Sequence, residues 1–156
     1  MQEMAASDLD PLPLSELWVR IRALRMRFDA AMKTVGVLFA GDVLVLALVT
    51  AYGFASHGEL GSAGGRMLTT FVPLAAAWLL VAPHLGVYQR ENTADVRQLW
   101  RPFWAMVLAG PFAAWLRGAW LNSPILPTFV VILGGVSALS LTFWRFLYWA
   151  FAGRKR

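Results

Sequence analysis

The chain has 156 residues, 58% of them hydrophobic and 15% charged, with a formal net charge of +5 and no cysteine. Soluble domains run near about 45–50% apolar and about 25% charged, and a small globule cannot hide such a surplus, so lipid is expected to cover the rest. Without Cys, disulfides, thiolate nucleophiles and Cys-ligated metals are excluded, while the positive charge falls where a membrane topology needs it and calls for no nucleic-acid partner.

Residues 1–13 (MQEMAASDLDPLP) are polar with prolines near the end and are expected to form a mobile tail. Ser15 then stands where an N-cap would open a helix running to about Ala31. Leu14, Leu17, Trp18, Ile21, Leu24 and Phe28 recur on one face of it, and Arg20, Arg22, Arg25 and Arg27 lie mostly off that face. A basic helix with a Trp on its apolar side suits a membrane surface with anionic headgroups; the alternative is a plain extension packed on the bundle or on itself. No cleavable signal is expected, because Asp8, Asp10, Glu16 and four Arg interrupt the first 30 residues.

Four apolar runs follow, at Val35–Phe54, Met67–Leu85, Phe103–Leu121 and Leu126–Phe151. A helix needs roughly 20 mainly apolar residues to cross a bilayer, so the expected fold is an all-α, integral membrane four-helix bundle. An N-terminal amphipathic helix (14–33) precedes the four-span domain (34–151), and a basic tail (152–156) follows it.

Loop charge orients the spans. Arg20, Arg22, Arg25, Arg27, Lys33, Arg90, Arg97, Arg101, Arg154, Lys155 and Arg156 fall on one side, and only Arg66 lies in a loop on the other. Eleven against one places both termini in the cytoplasm, with the chain in the cell (inner) membrane. Tyr88, Trp100, Trp104, Tyr148 and Trp149 then mark the inner boundary and Tyr52, Trp115 and Trp120 the outer one. Pro73 and Pro111 interrupt spans two and three, and Pro124 and Pro127 bracket a short outer turn. Small residues recur in helical register, at Gly36, Ala40 and Gly41, at Ala109, Gly110, Ala113 and Ala114, and at Gly134, Gly135 and Ala138. They read first as close-packing faces.

Charged residues at membrane depth are costly and mark candidate sites. Asp42 lies about 10 Å into span one at about 1.5 Å per residue, and Arg145 reaches a comparable depth from the inner end of span four. The two are candidates for an intramembrane ion pair; in the other reading Arg145 snorkels inward and Asp42 is protonated or bonded to a Ser or Thr. His57, Glu59, Arg66 and Arg117 are expected to gather at the outer face, either as a vestibule for an anionic or zwitterionic solute or as a solvated rim of ion pairs.

No cofactor, metal site or catalytic residue is expected. His57 and His84 fall at opposite ends of spans one and two and cannot both ligate one haem. GSAGGR (61–66) lacks the Lys-Ser/Thr that completes a phosphate loop.

The segments GDVLVLALVTAYGFASHGE, TTFVPLAAAWLL, APHLGVY, WLRG and LTFWRFLYW resemble the domain-of-unknown-function family 3054, small four-span membrane proteins of actinobacteria and haloarchaea. The likeness covers roughly Gly41 to Trp149. It maps the family's polar positions onto Asp42, His57–Gly58, Arg117 and Trp144–Arg145 and implies four spans but no activity. LGVYQRENTADVRQLWRPFWAMVLAG and the basic ending also resemble, more weakly, the membrane N-terminal region of polyprenyl-phosphate sugar-1-phosphate transferases, which would make the chain a stranded membrane half. The expected role is non-enzymatic, an accessory or scaffold protein that binds lipid and either itself or another membrane protein. The alternative is a small solute, ion or proton permease working as a homo-oligomer.

Overall fold

The computed structural model describes residues 13–56 and 64–152, with the side chains of all but Arg27 and Arg90. The expected mobile tail, His57, Glu59 and the basic tail from residue 153 onward lie outside the described residues.

The described residues form helices α1 (Leu14–Ser56), α2 (Gly64–Val81), α3 (Arg90–Thr93), α4 (Trp100–Leu121) and α5 (Pro127–Phe151), with a 3₁₀ turn at Val96–Gln98 and no strand. The fold is all-α. Three helices, α1, α2 and α5, are long and apolar enough to cross a membrane. Helix α4 has 22 residues, but four Trp, two Pro and two Arg lower its mean hydropathy.

Two compact units divide the chain, residues 1–34 and 35–156. The described part of the first is the opening of α1. The carbonyl of Pro13 accepts from the amides of Glu16 at 2.9 Å and Leu17 at 3.2 Å, so the helix opens at Leu14 and Ser15 lies inside its first turn. This corrects the expected N-cap: the proline carbonyl closes the first turn without a side-chain cap. Leu14, Trp18, Leu24 and Phe28 are exposed, as are Arg20, Arg22 and Arg25. Helix α1 also continues through 31–35, where a separate N-terminal helix was expected to end.

In the second unit, α4 packs against both α2 and α5. Its buried face consists of Pro102, Ala105, Met106, Ala109, Gly110, Ala113 and Ala114. Six of these seven are small or ring-closed, so neighbouring backbones can approach closely, which is how helices associate where lipid offers no hydrophobic drive. At the tightest point a Cβ on Gly110 would stand 3.2 Å from the Gly134 Cα of α5. Around this seam Leu46, Leu74, Trp78, Met106 and Leu141 form the fully buried core.

Helix α1 joins through side chains. Leu38, Asp42 and Leu46 recur every four residues, fall on one face and are fully buried. Gly41 beside them receives the Trp144 indole of α5, which lies where a Cβ would be. The buried Thr50 satisfies its hydroxyl within α1, donating to the Leu46 carbonyl at 2.8 Å.

The connections follow from local chemistry. Helix α2 ends at Val81, four residues before the expected end at Leu85, because Pro83 lacks an N–H and disfavours helical geometry before it. The chain then turns through Gly86 at φ +67°, a left-handed conformation suited to glycine. The amide side chain of Asn92 braces the turn by donating to the Gly86 carbonyl at 2.9 Å. Helix α4 closes on Asn122, also left-handed at φ 47°, whose amide donates to the Gly118 carbonyl. Pro127 opens α5 in its first turn, where a missing N–H costs nothing.

Candidate functional site

In the second unit a buried polar cluster gathers where α1, α2 and α5 meet the 82–89 turn. Arg145 grips Asp42 in a two-point fork: Nη2 donates to Oδ2 at 2.6 Å and Nε to Oδ1 at 3.1 Å. Two further donors converge on the same carboxylate. The Tyr88 hydroxyl donates to Oδ2 at 2.8 Å. The Trp78 indole N–H is shared between Asp42 Oδ2 at 3.3 Å and the Tyr88 oxygen at 3.0 Å. The remaining arm of Arg145, Nη1, donates to the Val87 carbonyl at 3.2 Å. Its guanidinium also stands 5.1 Å from the centre of the Tyr88 ring, within cation–π range.

Four elements supply this cluster: α1 gives Asp42, α2 gives Trp78, the 82–89 turn gives Val87 and Tyr88, and α5 gives Arg145. Asp42 and Trp78 are fully buried and Arg145 is 6% exposed. A buried carboxylate and guanidinium are tolerable only when paired and hydrogen-bonded throughout, and here every nitrogen of the guanidinium donates. Burial, and then the Asp42 carboxylate, push the Tyr88 phenol pKa up, so its hydroxyl stays a donor. Arg145 lines a cleft of about 20 Å³, room for about one water. Arg101 closes its rim, donating to the Leu85 carbonyl at 2.6 Å and to Gln98 at 2.7 Å.

Asp42 and Arg145 therefore meet, and the snorkelling alternative is not what the geometry shows. Trp78 and Tyr88 were missed as members of the cluster. Tyr88 was read as a boundary aromatic, yet its hydroxyl turns inward to the carboxylate.

At the opposite end, where α1 and α4 finish and α2 and α5 begin, lies a half-open cavity of about 570 Å³. Of the expected outer-face cluster, Arg66 and Arg117 both line it. His57 and Glu59 lie outside the described residues, and His84 is exposed in the 82–89 turn. The Arg117 guanidinium stands 5.2 Å from the Phe129 ring centre. Its Nε is shut off from solvent and has no hydrogen-bond partner among the described residues. Of the surface arginines, Arg20, Arg22 and Arg25 are exposed on α1 and enter neither site.

The family model described as protein of unknown function, DUF3054, matches residues 39–148. The chain belongs to the DUF3054 family. That match contains Asp42, Trp78, Tyr88, Arg117 and Arg145, so the ion-pair cluster lies wholly within the DUF3054 region. The DUF3054 description assigns no activity to any of them. No curated protein and no solved structure matches the chain. With its apolar helices, this DUF3054 member is a membrane protein of unknown activity.

Proposed function

We propose that the chain is a four-span cell-membrane protein with both ends in the cytoplasm, and that it works by binding, as an accessory or scaffold protein, without turnover. One observation carries this reading: the buried Asp42 carboxylate accepts from three side chains and adjoins little open space. Asp42 accepts from Arg145, Tyr88 and Trp78, and the cleft beside its partner has about 20 Å³ of space. A proton or ion carrier needs a group that can exchange partners with water; a clamp needs the opposite. Close helix contact through small residues, as at Gly110 and Gly134, supports the same reading. In it, Arg20, Arg22, Arg25 and Arg27 hold α1 near anionic headgroups, and the partner is a second copy or another membrane protein.

A permease remains the second reading, favoured by the larger cavity reaching Arg117. Two experiments separate them. Extraction of the tagged full-length protein in mild detergent is expected to recover a stoichiometric membrane partner; repeated recovery of the chain alone counts against a scaffold. Reconstituted vesicles are expected to show no proton or solute flux beyond protein-free controls. A flux that Asp42→Asn or Arg117→Gln abolishes in folded protein would replace the scaffold with the permease.

A further inference from the structure

The cavity of about 570 Å³ is not needed by a clamp, and its lining is mostly apolar. Ile125, Leu126, Phe129, Ile132, Leu133 and Val136 contribute much of it, and Arg117 stands over the Phe129 ring among them. From this pairing of a large apolar lining with a cation we infer that the cavity is the binding site of one anionic lipid, its headgroup phosphate on Arg117 and an acyl chain along α5.

The size falls within the roughly 300–1,000 Å³ of small-molecule sites. An apolar wall of this extent gains by displacing water, which suits an acyl chain and gives a free inorganic anion nothing to hold. The polar lining selects the headgroup. Thr50 and Thr70 already donate within their own helices, to the Leu46 and Arg66 carbonyls. Arg117 differs: among the described residues its Nε has no acceptor, and its guanidinium stands over the Phe129 ring. A buried charged donor without an acceptor is costly, and phosphate oxygens are the acceptors that guanidinium geometry fits best. A headgroup of net negative charge balances the Arg117 cation, whereas a zwitterionic one brings an ammonium of its own to the same place.

Native mass spectrometry of the purified full-length protein tests the assignment, with phosphatidylglycerol, phosphatidylcholine of the same acyl chains, and inorganic phosphate as probes. One phosphatidylglycerol is expected to be held about tenfold or more tightly than phosphatidylcholine, the usual scale for a charge-assisted hydrogen bond. Inorganic phosphate is expected not to displace it. Arg117→Gln should remove the preference. Gly53→Leu should weaken both lipids while leaving every arginine in place. Gly53 lines the cavity, a Cβ there meets nothing within 4 Å, and leucine favours a helix over glycine, so this variant keeps a readout if Arg117→Gln does not fold. Equal affinity for the two lipids, displacement by inorganic phosphate, or unchanged binding in Gly53→Leu would each overturn the proposal. The last of these would place the lipid on the basic opening of α1. None of these outcomes depends on whether a protein partner exists.

Discussion

Asp42 and Arg145 would each cost several kcal/mol if carried into a low-dielectric interior alone, and their mutual attraction offsets that only because the fork is complete. Breaking one side is therefore expected to cost more than removing both. Asp42→Asn or Arg145→Met alone should destabilise the protein by about 3–5 kcal/mol. The double variant should lose markedly less than the sum, a coupling that a double-mutant cycle in a detergent unfolding titration reads directly. Additive losses would mean that the two groups do not act as a pair. Tyr88→Phe is expected to cost about 1–3 kcal/mol, the scale for a hydrogen bond to a charged group. The pair was legible as one of two readings: opposite charges at matching depth in an apolar chain suggest each other, while a snorkelling Arg145 and a protonated Asp42 stayed open until the geometry was seen. Tyr88 and Trp78 were not legible in the same way. An aromatic with a polar edge suits a membrane boundary equally well, and only the path of the 82–89 turn decides which way the hydroxyl of Tyr88 points.

The helices make contact through what their residues lack. Gly41 leaves the space that the Trp144 indole occupies, and Gly110 lets α4 approach α5 at Gly134. Gly41→Leu and Gly110→Leu are each expected to lower stability by about 1–3 kcal/mol through overpacking. Gly135→Ala, where an added Cβ meets nothing within 4 Å, should be neutral or stabilising by up to about 1 kcal/mol. Thermal unfolding of the three purified variants checks the order, and equal effects at Gly110 and Gly135 would contradict the α4–α5 seam. At this scale the small residues of α4 and α5 at Ala109, Gly110, Ala113, Ala114, Gly134 and Ala138 marked packing faces. Gly36, Ala40 and Gly135, read the same way, are exposed, and α2, on which no such patch was marked, packs against α4. The apolar runs located α4 and α5 within three residues at each end. What the pattern left out is instructive. The short α3 and the 3₁₀ turn lie in a stretch without apolar periodicity, where side-chain bracing such as Asn92 to Gly86 and the Asp95 carboxylate accepting from the Arg97 amide sets the backbone. The end of α2 at Val81 was signalled by Pro83, but continuous hydrophobicity masked it.

For the molecule as a whole, the proposed topology puts the 82–99 connection in the cytoplasm and the Ser56, Asn122 and Pro127 end outside. The chain has no cysteine, so single introduced thiols report position without interference. Ser56→Cys is expected to react with a membrane-impermeant maleimide in intact cells, and Ala94→Cys only after permeabilisation; the reverse result would invert the protein in the membrane. This test also bears on α4, whose Trp, Pro and Arg content keeps it from matching the other three helices in apolarity. Its small-residue face packs between α2 and α5, and Trp104, Leu108, Trp115 and Trp120 on its other face are exposed, as a lipid-facing surface would be.

The dispersed origin of the buried clamp has a bearing on biogenesis. Its acid is made 103 residues before its base, and an unpaired Asp or Arg at membrane depth is costly to insert. Until α5 has been made, α1 lacks that counter-charge, and of the cluster's side chains Trp78 and Tyr88 alone are present to donate to the carboxylate. Of the cluster's residues Arg145 comes last in the chain, so the fork can close only once α5 has formed.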